Sequence, residues 1–432
     1  MDRHTKEVFL KSFSTIIIQI IGISARLITS IILGRILGVP GLGDVNLINQ
    51  IVSILMVISM FGMDHVLVKK ISIGYFNKDY KLVGTTIYTA LKVNIIIAVL
   101  LTIFSVIGAG FISNFFSSYQ LKLPLIISAL VLVPQTISVV FASAINGFNK
   151  VWQSRLLKDF LTSLFVLTGI FFSWFLKIEI NLFSVIIVYV FSRFLTFIIA
   201  TLYLKNIYNP IFIKGAIDKS MIKMAKPLLF VSATTLLSSS IDIIMLGWLS
   251  NSSDVGLYTV ATRLVVFIAF FLQITNSTIS PKIAALFANN QLKEINIMVK
   301  RVTFWLIVIG VFSTVFFLFF GKPILNLWGD EFTQAYYCLI ILCFGQFINI
   351  STGCSGILLI MSGNEKVFSY ISGISLLLNF VLNLVLITKY GIIGAAIATS
   401  ITIAGENIVK VIIAKKKTGI LTMPLGFKKL KS

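Results

Sequence analysis

Along the 432-residue chain, apolar runs of twenty or more residues alternate with short polar connections that carry most of the charge. A helix that crosses the hydrocarbon core of a bilayer takes about 20 apolar residues. Cutting the chain at that length, and at charged residues, prolines and glycines, predicts twelve spans: 13–35, 44–63, 83–109, 123–146, 155–176, 181–204, 226–249, 255–280, 301–320, 335–361, 367–388 and 391–414. The expected fold is all-α and integral to the membrane. The first apolar stretch, Phe13 to Leu37, is too long for a signal-peptide core and lacks a small-x-small cleavage site, so it reads as a retained span.

The pattern also repeats. Ile31-Ile32-Leu33-Gly34 stands nine residues before Gly43, and Ile244-Met245-Leu246-Gly247 stands nine before Gly256, an offset of 213 in each case. Span 7 is then the counterpart of span 1. The expectation is two six-helix lobes, 1–204 and 226–414, related by a parallel internal repeat. A cytoplasmic linker, 205–225, joins them, and a basic cytoplasmic tail, 415–432, follows. Transporters built from such repeats hold their substrate at the repeat interface. The linker mixes Ile211, Phe212 and Ile213 with four lysines, a fifth (Lys226) opening the next span, and reads equally as an interfacial segment or a solvated connector.

Composition removes the competing classes. Apolar residues make up 57% of the chain and charged ones 12%, against about 25% charged in an ordinary soluble domain. A mean hydropathy of +1.01 excludes a soluble enzyme, a nucleic-acid reader or a secreted disulfide scaffold. The net charge of +21 is distributed topologically. With residues at the span ends counted in the adjoining connections, 26 of the 36 lysines and arginines fall on the even connections and the termini, 5 on the odd connections and 5 inside spans. By the positive-inside rule both termini are cytoplasmic. The Ile-, Asn- and Lys-rich composition suggests an AT-rich bacterial gene, so the expected location is a bacterial inner (cytoplasmic) membrane, and no nucleic-acid partner is expected.

Candidate enzyme chemistry is sparse. The sequence has no Walker loop, no Gly-x-Ser-x-Gly elbow and no His-Glu-x-x-His pair. Gly353-Cys354-Ser355-Gly356 lies in an apolar segment with no histidine or carboxylate nearby in sequence. Cys338, Cys343 and Cys354 read as small packing residues, and His4 and His65 share no zinc-type spacing. The expectation is a chain that is not an enzyme and uses no metal or cofactor.

The informative residues are the ionisable ones inside spans, because a charge at mid-bilayer costs about 2.5–3.5 kcal/mol on insertion scales. Arg26 falls about 20 Å into the first span, on a stripe with Ser12, Thr15, Gln19, Gly22 and Ser30. Span 6 aligns Tyr189, Arg193, Thr196 and Tyr203; span 8 aligns Thr259, Arg263, Gln273 and Ser277; span 11 carries Ser375, Asn379 and Asn383. Neutral side chains at such spacing read as hydrogen-bond glue between helices. Arg26, Arg193 and Lys92 have no partner visible in the sequence. They point to a water-filled, net-positive cavity for an anionic group such as phosphate or uronate. Arg26, Arg193, Arg263, Lys92 and Gln19 are therefore the expected substrate-binding residues. Asp242 reads equally as the ion-pair partner of Arg263 or as a coupling residue. Glu406 and Lys410, four apart on span 12, read as an intrahelical pair.

Two stretches carry a family resemblance. Ser240-Ile241-Asp242-Ile243-Ile244-Met245-Leu246-Gly247-Trp248-Leu249-Ser250, followed by Asp254-Val255-Gly256-Leu257-Tyr258-Thr259-Val260-Ala261, resembles the span 7–8 signature of polysaccharide flippases. These belong to the multidrug/oligosaccharidyl-lipid/polysaccharide exporter superfamily. Leu33-Gly34-Arg35-Ile36-Leu37-Gly38, with Gly41 and Gly43, resembles the opening motif of the same family, and weaker similarity at Pro281 and Gly363-Asn364-Glu365-Lys366 extends it along the chain. The resemblance implies two six-helix lobes around a central cavity that opens alternately to cytoplasm and periplasm. It implies transfer of undecaprenyl-diphosphate-linked oligosaccharide repeat units between leaflets, for O-antigen in lipopolysaccharide or for capsule. It also implies helices 1 and 8 flanking a lateral opening, with Arg26 and Arg263 beside the diphosphate path.

The implied partners are the lipid-linked substrate, membrane lipids, a proton or sodium ion, and polysaccharide polymerase machinery. Drug exporters of the superfamily use acidic residues in the N-terminal lobe, where this chain offers Arg26, Lys92 and Arg193. The first alternative is an ion-coupled small-molecule antiporter on the same fold. A second, a membrane-bound polymerase, needs a large outer loop that these short connections do not provide.

Overall fold

The structure is a computed structural model that describes residues 3–208 and 217–423. The predicted interfacial residues Ile211, Phe212 and Ile213 of the linker, and the basic tail beyond 423, lie outside the described residues. The described chain is helical throughout: α1 (Arg3–Met60), α2 (Met63–Phe76), α3 (Tyr80–Phe115), α4 (Lys122–Leu130), α5 (Leu132–Gly147), α6 (Val151–Arg155), α7 (Leu161–Phe175), α8 (Leu182–Ile207), α9 (Lys219–Leu249), α10 (Ser252–Ala288), α11 (Leu292–Leu325), α12 (Tyr336–Ser351), α13 (Ser355–Met361) and α14 (Glu365–Thr418). The bilayer demands this, since a helix satisfies its backbone N–H and C=O groups within one segment. Among the described residues, nine helical stretches are long and apolar enough to cross a membrane. The α4–α5 pair, bent by 45°, makes a tenth.

The predicted spans 13–35 and 44–63 run as one helix, α1, interrupted at Gly38, and the predicted spans 367–388 and 391–414 run as α14, interrupted at Gly391. Gly38 (φ 67°, ψ −172°) and Gly391 (φ 53°, ψ −129°) occupy left-handed backbone that glycine enters without a Cβ clash. Pro40 follows the first break, where its missing N–H costs least. The predicted span 335–361 is two helices, α12 and α13, separated at Thr352–Cys354. Several connections are capped: Asp79 accepts from Leu82 N (2.9 Å) to start α3, and Asn251 accepts from Asp254 N (2.9 Å) to start α10.

Packing divides the chain into two compact units, Met1–Ser240 and Ile241–Ser432. In the first, α5 is packed by α2, α3 and α8, and α1 lies against α3 and α7. Met63, Leu67, Ile71, Ile87, Phe141 and Ile145 form a dry core there. Met221 and Ala225, at the start of α9, join that core. An ion pair between Lys70 and Asp218 fixes their approach, with Lys70 also donating to Ser220 Oγ (3.0 Å). The hydrogen bond from Lys70 holds the Asp218 carboxyl down to about 2. In the second unit α12 is central, packed by α10, α11 and α14, and its Cys338 and Cys343 are buried and free, as is Cys354 just beyond it.

Candidate functional site

Each unit buries an acid and a cation: Asp44 and Arg193 in the first, Asp242 and Lys410 in the second. In the first unit the key residue is Arg193 on α8. A capping box starts that helix: Asn181 accepts from Ser184 N (3.0 Å) and Ser184 Oγ accepts from Asn181 N (2.9 Å). Arg193 follows eleven residues after the helix begins, about 16 Å along its axis, and is 8% exposed. Its Nη2 donates to Asn49 Oδ1 (2.6 Å), and its guanidinium lies 5.8 Å from the centre of the Tyr189 ring. Asn49 is oriented in turn, because its Nδ2 donates to Val45 O (2.9 Å) and leaves Oδ1 facing Arg193.

Arg193 lines a cavity of about 270 Å³ whose polar wall also includes Asp64, Gln135, Ser138, Lys158, Thr162 and Thr196. Lys158 belongs to a five-residue π-helix, Leu156–Phe160, between α6 and α7; such segments recur at functional sites because they re-aim side chains. Its Nζ donates to Ser143 Oγ (2.9 Å). The Thr162 and Thr196 hydroxyls are 3.1 Å apart. Gln135 is the incompletely bonded member. Its Nε2 contacts Met56 Sδ (3.1 Å), and its buried Oε1 has no donor.

In the second unit Asp242 is 8% exposed and held by three neutral donors: Tyr258 Oη (2.8 Å), Thr399 Oγ1 (2.7 Å) and Asn383 Nδ2 (2.6 Å). The same Asn383 Nδ2 reaches Asn379 Oδ1 (3.0 Å), and Asn379 Nδ2 donates to Thr402 Oγ1 (3.2 Å). Further along α14, Glu406 Oε1 accepts from Ser372 Oγ (2.7 Å) and from Lys410 Nζ (2.5 Å), which lies 4.3 Å from the Phe368 ring centre. The two parts of α14, on either side of Gly391, thus face each other through a polar seam.

The structure places the expected site residues in different environments. Arg193, without a visible partner in the sequence, has Asn49 and Tyr189. The stripe on α1 is not one environment: Gly22 and Ser30 are buried, Gln19 is half-buried and Arg26 is exposed. Lys92 is exposed on α3, 5.9 Å from the Tyr88 ring centre. The cation that shares the Arg193 cavity is Lys158, which the charge count assigns to an inner connection. Arg263 is half-buried on α10, and the donors to Asp242 are uncharged. Glu406 and Lys410 form their intrahelical pair.

The sequence reading missed Asn49, Gln135 and Lys158. A glutamine inside the apolar run of span 4 was the available signal for Gln135. Nothing local marks Asn49, whose partner lies 144 residues away.

An all-helical, multiply spanning architecture with buried charge inside each unit defines a membrane protein of the transporter type. The family model described as polysaccharide biosynthesis protein matches residues 8–287, about two-thirds of the chain, and the chain belongs to that family. The MatE model matches residues 227–385. A probable low-salt glycan biosynthesis flippase of Haloferax volcanii is 29% identical over 206 residues, covering 45% of this chain and 43% of that protein. A capsular polysaccharide biosynthesis protein of Staphylococcus aureus is 29% identical over 185 residues, covering 43% of this chain and 47% of that one. The chain thus matches somewhat under half the length of these curated relatives. Among solved structures, the lipid II flippase MurJ in its inward closed conformation shares the fold. Its TM-score is 0.70 at 17% identity, with 94% of this chain and 87% of that chain covered.

Proposed function

We propose that the chain is a flippase that moves lipid-linked oligosaccharide repeat units from the cytoplasmic to the outer leaflet. The observation that carries this reading is Arg193: a guanidinium buried in a membrane-spanning unit, held by one neutral acceptor, and lining a polar cavity. A cation at that depth is costly unless it meets an anion during the work cycle. Family membership and the glycan-related relatives supply the class of anion. In this reading the carrier is undecaprenyl diphosphate and the location a bacterial inner membrane with both termini cytoplasmic. Arg26, Lys92, Arg263 and Gln19 meet the headgroup along its path. The capsule assignment of the Staphylococcus aureus relative favours capsule over O-antigen, with polymerase machinery taking the product.

The architecture proposed for this work is twelve spans in two six-helix lobes, 1–204 and 226–414, opening alternately to the two sides of the membrane. The ten spanning candidates become twelve when α1 and α14 are each counted twice across their glycine breaks. The 213-residue offset supports the repeat, because it maps the break at Gly38 onto Asn251, where α9 ends and α10 begins. The same offset maps Gly391 onto Ile178, between α7 and α8. Asp242, in its seam of neutral donors, is the proposed proton or sodium coupling residue, with Glu406–Lys410 a structural pair beside it. That seam is also what favours the second reading, an ion-coupled small-molecule antiporter on the same fold.

The test is deletion and complementation in the source bacterium, following surface polysaccharide and the leaflet location of its lipid-linked repeat unit. The flippase reading expects deletion to trap the unit on the cytoplasmic face and the wild-type chain to release it. Unchanged polysaccharide with lost small-molecule resistance supports the antiporter instead.

A further inference from the structure

We infer that the cavity inside the first unit reads one anionic sugar ring of the glycan, rather than a bare phosphate group. The inference rests on the glycan-transport reading and names the part of the substrate that this cavity takes. Its wall offers two kinds of polar group at once. Arg193 and Lys158 present cationic donors, while Asp64 and the carbonyl of Gln135 present acceptors. A bare oxyanion uses only donors and is repelled by the Asp64 carboxylate. A hydroxylated ring that carries one negative group uses both, its anion on the cations and its hydroxyls on the acceptors.

Gln135 is the sharpest pointer. Its Oε1 is buried without a donor, and its Nε2 has a thioether sulfur as its contact, so neither polar atom of this wall residue has an oxygen or nitrogen partner. Buried amides in native proteins are nearly always satisfied, and an unsatisfied one calls for an explanation. A ligand hydroxyl, which both donates and accepts, can satisfy both ends of that amide.

Size is compatible with this reading: a cavity of about 270 Å³ admits a hexose-sized ring with its anionic substituent. The anion can be a carboxylate on the ring or a phosphate at its anomeric position, and the experiment separates the two.

The purified full-length chain in nanodiscs is titrated with glucuronate, glucose 1-phosphate, glucose and inorganic phosphate, with binding read by calorimetry and by thermal shift. The expected result is that at least one anionic sugar binds about tenfold more tightly than both glucose and inorganic phosphate. Whichever anionic sugar binds better identifies the source of the charge. Arg193→Gln is expected to weaken that sugar at least roughly tenfold. Gln135→Met, close in shape and next to Met56, is expected to weaken it about fivefold while leaving phosphate binding unchanged. Phosphate binding as tightly as the anionic sugars overturns the inference in favour of a plain oxyanion site. Glucose binding equally well, or no sugar binding at all, also overturns it. No binding with flipping intact in cells sinks the ring-reading cavity alone, whereas no binding with no flipping removes the functional reading beneath it.

Discussion

Replacing Asn49 by leucine tests how the buried charge of Arg193 is tolerated. The change removes the acceptor 2.6 Å from Nη2 of a guanidinium that is 8% exposed. A hydrogen bond to a charged group contributes about 1.5–3 kcal/mol, and the neutral Asn49–Val45 bond lost with it about 0.5–1.5 kcal/mol. Asn49→Leu alone should therefore destabilise the first unit by about 2–4.5 kcal/mol. Arg193→Leu removes the charge as well as the bond. It leaves the Asn49 carbonyl unpaired, at about 1–3 kcal/mol, but relieves the about 2.5–3.5 kcal/mol cost of a cation at depth. Its net effect on stability should be small. In the double variant no buried charge is left without its acceptor, so the two changes should couple by about 2 kcal/mol. A double-mutant cycle by reversible unfolding of the full chain in mixed micelles measures that coupling. Costs that add within about 0.5 kcal/mol would refute the reasoning, since independent sites behave that way.

Four further substitutions probe other parts of the molecule. Gly38→Ala and Gly391→Ala each place a Cβ on left-handed backbone and should cost about 1–2 kcal/mol; an unchanged or raised melting temperature contradicts the role given to these breaks. Asp242→Asn puts an amide against three donors, Tyr258, Thr399 and Asn383, and should slow transport at least roughly tenfold in vesicles; a wild-type rate removes Asp242 from the coupling scheme. The Asp218 carboxyl titrates near 2 in the folded chain, below its ordinary 3.8. Its pairing with Lys70 therefore stabilises above about pH 4, and that contribution is lost as pH falls through about 2. Asp218→Asn should flatten stability across that window, and an unchanged acid limb in the variant speaks against the pair.

The membrane-spanning helical fold is legible in the sequence because the bilayer imposes a length on every element. Where glycine breaks α1 and α14, the sequence correctly marks a boundary but not its form: apolarity sets the spans, while backbone geometry at Gly38 and Gly391 decides whether a loop or a kink joins them. The ionisable residues within spans are visible as exceptions to apolarity, and Arg193, Asp242 and Lys410 prove buried. Their partners are not visible. Asn49 meets Arg193 across 144 residues, and Asn383 meets Asp242 across 141, contacts that only tertiary packing creates. Lys158 escapes notice because the charge count groups it with the inner connection although the predicted span 155–176 contains it, and the π-helix carries it onto the cavity wall. Arg26 shows the converse: the same helical stripe holds it exposed between buried Gly22 and Ser30, since period alone does not say what covers a face.

The central claim is that this chain by itself carries a lipid-linked glycan across a bilayer, and that Arg193 is needed for it. The most direct measurement reconstitutes the purified chain in vesicles loaded on one leaflet with the lipid-linked repeat unit extracted from a deletion strain. Appearance of the glycan on the opposite leaflet is then followed with an impermeant glycan-cleaving enzyme. The account predicts protein-dependent transfer that falls to background with Arg193→Gln and recovers in part with Arg193→Lys. Transfer at the wild-type rate by a well-folded Arg193→Gln variant, or none by the wild-type chain, would contradict it.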